Sequence, residues 1–167
     1  MPDTIQSMAR RAREASFSLA GASLEARNQA LEAIAREIEN HMDNLLAVNA
    51  SDVEAATAEG LSAPLLSRLK LTRAKCAGMA DGLRSLALLP DPLGKVQYAR
   101  ELSPDLNLYR VSCPIGVVGV IFESRPDALV QIASLCLKSG NAVLLKGGRE
   151  AARTNEALAD LIIGAGR

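Results

Sequence analysis

The sequence is nearly without aromatic residues, since it holds two Tyr, two Phe and no Trp among 167 residues. Apolar residues nevertheless make up 49% of the chain. A chain of this length has the size of one ordinary domain and can bury a sizeable core. We therefore expect a core built from Leu, Ile, Val and Ala.

An excess of charge of either sign is also missing, because 19 Lys and Arg residues balance 19 Asp and Glu residues. Without a basic surface there is no field to hold the phosphates of nucleic acid or an anionic membrane. The longest apolar run, 115–122, is too short to cross a bilayer. No cluster of metal-ligating residues occurs in the sequence. We therefore predict that nucleic acid, membrane and metal are not partners.

Cysteine is scarce, and the three present, Cys76, Cys113 and Cys136, are an odd number without disulfide-type spacing. They indicate a reducing compartment. The amino terminus leads into a charged helical pattern and not into an apolar signal segment. None of the cysteines has a cationic neighbour or a helix amino terminus placed to activate its thiol. We predict a soluble, cytoplasmic protein without a nucleophilic cysteine of its own.

The first half of the chain is helical in pattern. Apolar residues recur at helical spacing through 4–58. Ser23 suits the N-cap of the second helix. Thr72 suits the N-cap of a later helix over 73–88, which ends before a proline-rich turn. We expect several helices before the first strand.

A hairpin and a strand–helix–strand–helix pattern follow. The strand-like runs 96–101 and 106–111 flank a polar turn and predict the hairpin. The later elements are predicted as a strand over 116–122, a helix from Pro126, a strand over 142–145 and a helix over 150–163. The continuous β-branched character of the first of these strands predicts burial on both faces. Alternating strands and helices are typical of an α/β fold with a parallel sheet.

Two parallel strands do not complete such a sheet. Doubly wound sheets usually have about five or six strands, and an unpaired apolar edge is a liability. We therefore expect this chain to be truncated.

Polar residues follow the second predicted strand: Lys146, Gly147, Gly148 and Arg149. In open α/β sheets ligands bind outside the carboxyl ends of the strands. A lysine there can reach a ribose or phosphate, the glycines allow backbone amides to approach it, and arginine suits phosphate. The alternative is a solvated connection without a ligand.

A second polar cluster, Glu123, Ser124 and Arg125, follows the first of these strands. Arg125 precedes proline and is held in an extended conformation that can direct its side chain outward to an anion. Ser124 can donate a hydrogen bond to a developing oxyanion. The alternative is an internal Glu123–Arg125 ion pair with a helix cap. The ordinary dinucleotide fingerprint is absent, because the glycines at 116 and 119 lie within the strand.

Three segments resemble gamma-glutamyl phosphate reductase, also called glutamate-5-semialdehyde dehydrogenase, of the aldehyde dehydrogenase superfamily. They are 114–126 (PIGVVGVIFESRP), 135–143 (LCLKSGNAV) and 89–94 (LPDPLG). The Glu-Ser-Arg-Pro and Lys-Ser-Gly-Asn elements are specific to this branch, whereas general aldehyde dehydrogenases carry Pro-Trp-Asn and Lys-Pro-Ser-Glu elements there. The resemblance covers essentially the whole chain.

The resemblance implies NADPH-dependent reduction of L-glutamyl 5-phosphate to glutamate 5-semialdehyde in proline biosynthesis. In the family a cysteine attacks the acyl phosphate, and hydride resolves the thioester. By similarity Lys146 contacts the adenosine ribose, and Arg149 suits the 2′-phosphate of NADP. Ser124 falls near the superfamily's oxyanion-stabilising asparagine. Glu123 and Arg125 are then substrate-side residues.

The resemblance also implies an aldehyde dehydrogenase-like organisation of the chain. Residues 1–94 are the helical first part of a Rossmann-like cofactor domain, 95–112 a protruding hairpin for homo-oligomerisation, and 113–167 the first βαβα of the NADPH-binding sheet. The domain with the family's nucleophilic cysteine lies beyond residue 167, so we expect this chain alone to be inactive. The alternatives are a non-catalytic chain that self-associates, or another aldehyde dehydrogenase, against which the Glu-Ser-Arg-Pro element argues.

Overall fold

The computed structural model describes residues 4–166. Seven α-helices lie in this part of the chain: α1 Ile5–Ala20, α2 Leu24–Asn40, α3 Met42–Ala58, α4 Ala63–Leu69, α5 Arg73–Leu88, α6 Pro126–Lys138 and α7 Ala152–Ala165. The strands are β1 Val96–Ser103, β2 Leu106–Val111, β3 Val117–Ile121 and β4 Ala142–Lys146, and a 3₁₀ turn covers Arg149–Ala151. Within residues 4–166 no helix is long and apolar enough to span a bilayer.

Local signals place several helix ends where the sequence predicted them. The Ser23 side chain accepts a hydrogen bond from the backbone N–H of Ala26, and the Thr72 side chain accepts one from that of Lys75. Each satisfies an amide that the first turn of a helix leaves unpaired. Helix α6 begins at Pro126, whose missing N–H is no loss in that position. The predicted caps and this start are confirmed.

The core is aliphatic, as predicted. It lies where α2 packs on α5, α6 and α7, and α3 packs on α7. Leu31, Ile38 and Leu158 are fully buried there, and Leu83 and Val130 nearly so. Each such side chain stabilises the fold by about 2 kcal/mol relative to an exposed one.

The four strands form two separate pairs. β3 and β4 are parallel, in register from Val117 opposite Ala142 to Ile121 opposite Lys146. The prediction that β3 is buried on both faces is wrong, because Ile121 is 84% exposed. Among the described strands β3 pairs with β4 alone, so no strand lies along its other edge. A continuous apolar run predicts a strand that is buried within a complete sheet. The two strands β3 and β4 alone do not form such a sheet.

The hairpin of β1 and β2 projects away from the core. Its strands are antiparallel, and every residue in both is exposed. Asp105 in the turn has φ of +65°, a conformation that Asp tolerates better than most residues. The large apolar side chains exposed on this hairpin are Val96, Tyr98, Leu102, Leu106, Leu108, Tyr109 and Val111.

A buried ionic network holds the end of α6 against α2. The Arg27 guanidinium, 3% exposed, donates to Asp91 Oδ2 at 2.8 Å and to the Lys138 carbonyl. Lys138 is equally buried, and its ammonium donates to Asn28 Oδ1 at 2.7 Å and to the Ala87 carbonyl at 3.0 Å. Burial and the nearby Arg27 lower the pKa of Lys138, although Asp91 opposes them. Asp91 belongs to the segment 89–94 and Lys138 to the Lys-Ser-Gly-Asn element. Both of these segments, which carry the family resemblance, therefore contribute to the packing of α2 against α6.

The rest of the Lys-Ser-Gly-Asn element positions the entry to β3. Gly140 ends α6 with φ of +69°, and a Cβ there would lie 2.9 Å from Leu93 Cδ1. Asn141 Oδ1 then accepts the backbone N–H groups of Ile115 at 2.7 Å and Gly116 at 2.9 Å. These contacts fix the register with which β3 begins.

A second buried polar cluster fastens α3 to α7. Asn49 Nδ2 donates to the Leu69 carbonyl at 3.0 Å and to Thr154 Oγ1 at 3.3 Å, and Asn49 Oδ1 accepts the Leu71 N–H at 2.7 Å. Asp52 Oδ2 accepts from the Thr154 N–H and hydroxyl, both at 2.8 Å. The carboxylate thereby satisfies an amide in the first turn of α7, where negative charge is favourable.

Candidate functional site

The two polar clusters lie side by side at one edge of the β3–β4 pair. Parallel strands end on the same side, and Ile121 at the end of β3 lies opposite Lys146 at the end of β4. The backbone N–H of Phe122 donates to the Lys146 carbonyl at 3.1 Å, which extends the pairing by one bond. Beyond that hydrogen bond the two segments of the chain separate into a first loop, 122–125, and a second loop, 147–150. Ligands bind at such an edge in open α/β sheets.

Ser124 lies at the centre of the first loop and is 4% exposed. Its φ of +38° is rare for a residue with a side chain. Glu150 Oε1 accepts both the Ser124 backbone N–H at 2.8 Å and the Ser124 hydroxyl at 2.7 Å. The oxyanion role of Ser124 stays a prediction, and it requires the hydroxyl proton to turn away from Glu150.

Sequence reasoning assigned no role to Glu150, which lies at this edge. Glu150 follows β4, whereas Ser124, its hydrogen-bond partner, follows β3. Burial acts to raise its pKa, whereas the hydrogen bonds from Ser124 and the nearby Lys146 act to lower it. The net effect is a pKa below the ordinary value. Glu150 is therefore a carboxylate at neutral pH.

Arg125 and Glu123 are exposed beside Ser124. The Arg125 guanidinium donates to Asp127 Oδ2 at 2.8 Å, and this hydrogen bond raises the pKa of Arg125. Its partner is thus Asp127 and not Glu123, so the internal Glu123–Arg125 pair is not the contact that forms. Half of the Arg125 side chain remains open to an anionic ligand.

Two exposed cations lie here, Lys146 at the end of β4 and Arg149 in the second loop. Lys146 Nζ donates to the Gly147 carbonyl at 2.7 Å. Arg149 lines a cleft of about 330 Å³ between α3 and the start of α7. The other charged residues of this cleft are Asp52, Glu59, Glu150 and Arg153. Sequence reasoning missed Arg153, which lies four residues beyond Arg149.

A Cβ at Gly147 or Gly148 would meet the end of a neighbouring side chain. A Cβ at Gly147 would lie 2.3 Å from Asn155 Nδ2 and 3.2 Å from Phe122 Cζ. At Gly148 it would lie 2.0 Å from Glu150 Oε1. Asn155 Oδ1 beside this loop is buried without a hydrogen-bond partner in the described chain. The glycines therefore serve the packing of the loop itself.

The cysteines do not contribute a thiolate to this edge. Cys76 and Cys136 are buried, and burial raises the pKa of both thiols. Cys113 is exposed, but it precedes β3 and so lies toward the opposite end of that strand. Residues 4–166 hold no group of three or more His, Cys, Asp or Glu residues able to bind a metal ion.

Curated relatives cover this chain almost completely. The gamma-glutamyl phosphate reductase of Acetivibrio thermocellus is 54% identical over 159 residues, which are 95% of this chain and 37% of that protein. The gamma-glutamyl phosphate reductase of a Cyanothece species is 54% identical over 157 residues, 94% of this chain and 36% of that protein. The resemblance to gamma-glutamyl phosphate reductase is confirmed. No family model matches the chain.

Solved structures agree with these relatives. The gamma-glutamyl phosphate reductase of Saccharomyces cerevisiae matches 98% of this chain and 42% of its own with a TM-score of 0.93 and 38% identity. That of Thermotoga maritima gives the same TM-score at 34% identity, over 98% of this chain and 39% of its own. A probable aldehyde dehydrogenase from Listeria monocytogenes, 15% identical, matches with a TM-score of 0.71 and so shares the fold.

The fold is therefore α/β and aldehyde dehydrogenase-like, as expected. The chain spans about two fifths of the length of the gamma-glutamyl phosphate reductases that it matches.

Proposed function

We propose that this chain is part of an NADPH-dependent gamma-glutamyl phosphate reductase. The reaction reduces L-glutamyl 5-phosphate to L-glutamate 5-semialdehyde and releases phosphate, in proline biosynthesis. The observation that carries the proposal is 54% identity to a gamma-glutamyl phosphate reductase over 95% of this chain. In this proposal residues 1–94 and 113–167 belong to the cofactor-binding part, and 95–112 form an oligomerisation element.

The second loop is the cofactor side of the site. When bound, NADPH supplies the hydride that reduces the acyl carbon. The exposed Lys146 would hold a ribose hydroxyl, and Arg149 would hold the 2′-phosphate, for which guanidinium is well suited. Arg153 adds a second cation to the same cleft. The cations of Lys146, Arg149 and Arg153 suit the phosphate groups of a nicotinamide dinucleotide phosphate, beside the carboxylates of Asp52, Glu59 and Glu150 that also line this cleft.

The first loop is the substrate side of the site. L-Glutamyl 5-phosphate is an anion, and Arg125 presents a half-exposed guanidinium at the carboxyl end of β3. Glu123 is exposed beside it and can accept from the substrate ammonium group. The loops lie on adjacent strands, so substrate and cofactor would meet between them.

We expect NADPH binding by this chain to depend on Arg149. Replacing Arg149 with alanine removes a charge-assisted contact, which weakens NADPH binding by about tenfold. NADH lacks the 2′-phosphate, so its dissociation constant should change little. Nicotinamide fluorescence measures both constants. The exposed Arg68 provides the control, and Arg68→Ala should leave them unchanged.

The same preparation should show no reduction of glutamyl phosphate, because the two buried thiols and the distant Cys113 offer no nucleophile at this edge. Turnover by the chain alone would contradict this part of the proposal.

The binding experiment has two contrary outcomes. Equal weakening of NADPH binding and NADH binding by Arg149→Ala would contradict the phosphate contact, and absence of NADPH binding by the parent chain would contradict the cofactor site.

We further propose that the hairpin 95–112 joins copies of this chain. Its apolar side chains are exposed on strands whose outer edges are unpaired within the described chain, and such edges favour association. Size-exclusion chromatography should show an oligomer that Leu108→Glu dissociates. Asn107→Glu introduces the same charge at the next exposed position and should have a smaller effect. A parent chain that elutes as a monomer would contradict this proposal.

A further inference from the structure

One carboxylate oxygen joins the two loops of the candidate site. Glu150 Oε1 accepts two hydrogen bonds from Ser124, which lies 26 residues away and follows the other strand. The last backbone bond between the strands is that from Phe122 to Lys146. Beyond it, Glu150 is the side chain that holds the first loop to the second.

The residues around the Glu150 carboxylate leave space for it and pair with it. Because Gly148 has no side chain, Glu150 Oε1 can lie at a place only 2.0 Å from where a Cβ of residue 148 would be. Ser124 is buried and adopts a φ of +38°, which directs both its N–H and its hydroxyl to the same oxygen. Any change at Ser124, Gly148 or Glu150 therefore alters one shared contact.

The hydroxyl of Ser124 has one proton, and Glu150 accepts it. An oxyanion developing at Ser124 would need that same proton and would lie close to a second negative charge, which repels it. The geometry suits Ser124 as a structural link better than as an oxyanion donor.

We propose that Glu150 is a positioning residue for the cofactor site. Through Ser124 it holds the loop 122–125 and the loop 147–150 in one relative placement. NADPH binding at Lys146 and Arg149 then depends on the hydrogen bonds between Glu150 and Ser124. This inference rests on the proposed function.

The test is a double-mutant cycle on NADPH binding by this chain. Glu150→Ala and Ser124→Ala should each weaken binding about fivefold, and the double variant should be no weaker than either, because both remove the same link. Gly148→Ala, which displaces the carboxylate from Ser124, should reproduce the loss. Glu150→Gln keeps an acceptor oxygen and should recover most of the affinity. The exposed Glu156 on α7 gives the control, Glu156→Ala, with unchanged binding.

Amide hydrogen exchange provides a readout that does not need the cofactor. Glu150→Ala should speed exchange in both loops, by about tenfold, while the core helices stay protected. Additive losses of affinity, or faster exchange in 147–150 alone, would overturn the proposal. If the parent chain binds no NADPH, the proposed cofactor site fails. Exchange then decides the link: faster exchange in both loops retains it, and any other pattern rejects it.

Discussion

Replacing Asn49 with leucine should lower the free energy of unfolding by about 4 kcal/mol, although the two side chains are similar in size. The variant leaves the Leu71 N–H and the Leu69 carbonyl without the partner that Asn49 gives them. Both residues are at most 4% exposed, so water does not replace the lost hydrogen bonds. Thr154 loses a contact as well. Urea unfolding measures the change.

Asn44 on the same helix gives the matched control, since it is exposed. Asn44→Leu should change the free energy of unfolding by less than about 0.5 kcal/mol. Equal effects of the two substitutions would show that the cluster of Asn49, Asp52 and Thr154 does not stabilise the fold.

Replacing Arg27 with methionine should cost about 3 kcal/mol of stability at neutral pH. The variant leaves the Asp91 carboxylate and the Lys138 carbonyl without their guanidinium partner. Relief of the repulsion between Arg27 and the buried Lys138 offsets part of the loss, so we expect the lower end of the range for a broken buried ion pair. Arg36 is exposed on the same helix, and Arg36→Met should be nearly neutral.

The cost of Arg27→Met should depend on pH. The hydrogen bond from Arg27 is the main cause that lowers the pKa of Asp91 below its ordinary value of 3.8. A group whose pKa is lowered by folding stabilises the fold above its unfolded pKa, and this contribution is lost as pH falls through the folded value. Urea unfolding at pH 7 and near pH 3 should therefore show a smaller difference between parent and variant in acid. A constant difference would contradict the ionic contribution.

Local signals in the sequence predicted much of the fold. Ser23 and Thr72 cap helices through residues three positions away, and Pro126 starts a helix by its own geometry. Parallel strands place their carboxyl ends together, so the neighbourhood of the two polar clusters followed from the order of elements alone.

Contacts between distant residues could not be predicted in this way. Thr154 meets Asp52 across 102 residues, and Ser124 meets Glu150 across 26. Both pairs join polar residues whose types occur throughout the chain, so no local pattern distinguishes them. The exposure of Ile121 was missed for another reason: its burial depends on a neighbouring strand, and the pattern within β3 carries no information about that neighbour.

The packing of Gly147 and Gly148 restricts how this loop can evolve. A Cβ at Gly147 must displace the end of the Asn155 side chain and one at Gly148 the Glu150 carboxylate, so we expect substitution at either glycine to disturb the contacts of this loop. The exposed side chains of Lys146 and Arg149 carry no such restriction. A combinatorial library meant to change ligand preference should therefore randomise positions 146 and 149 and leave the two glycines between them constant.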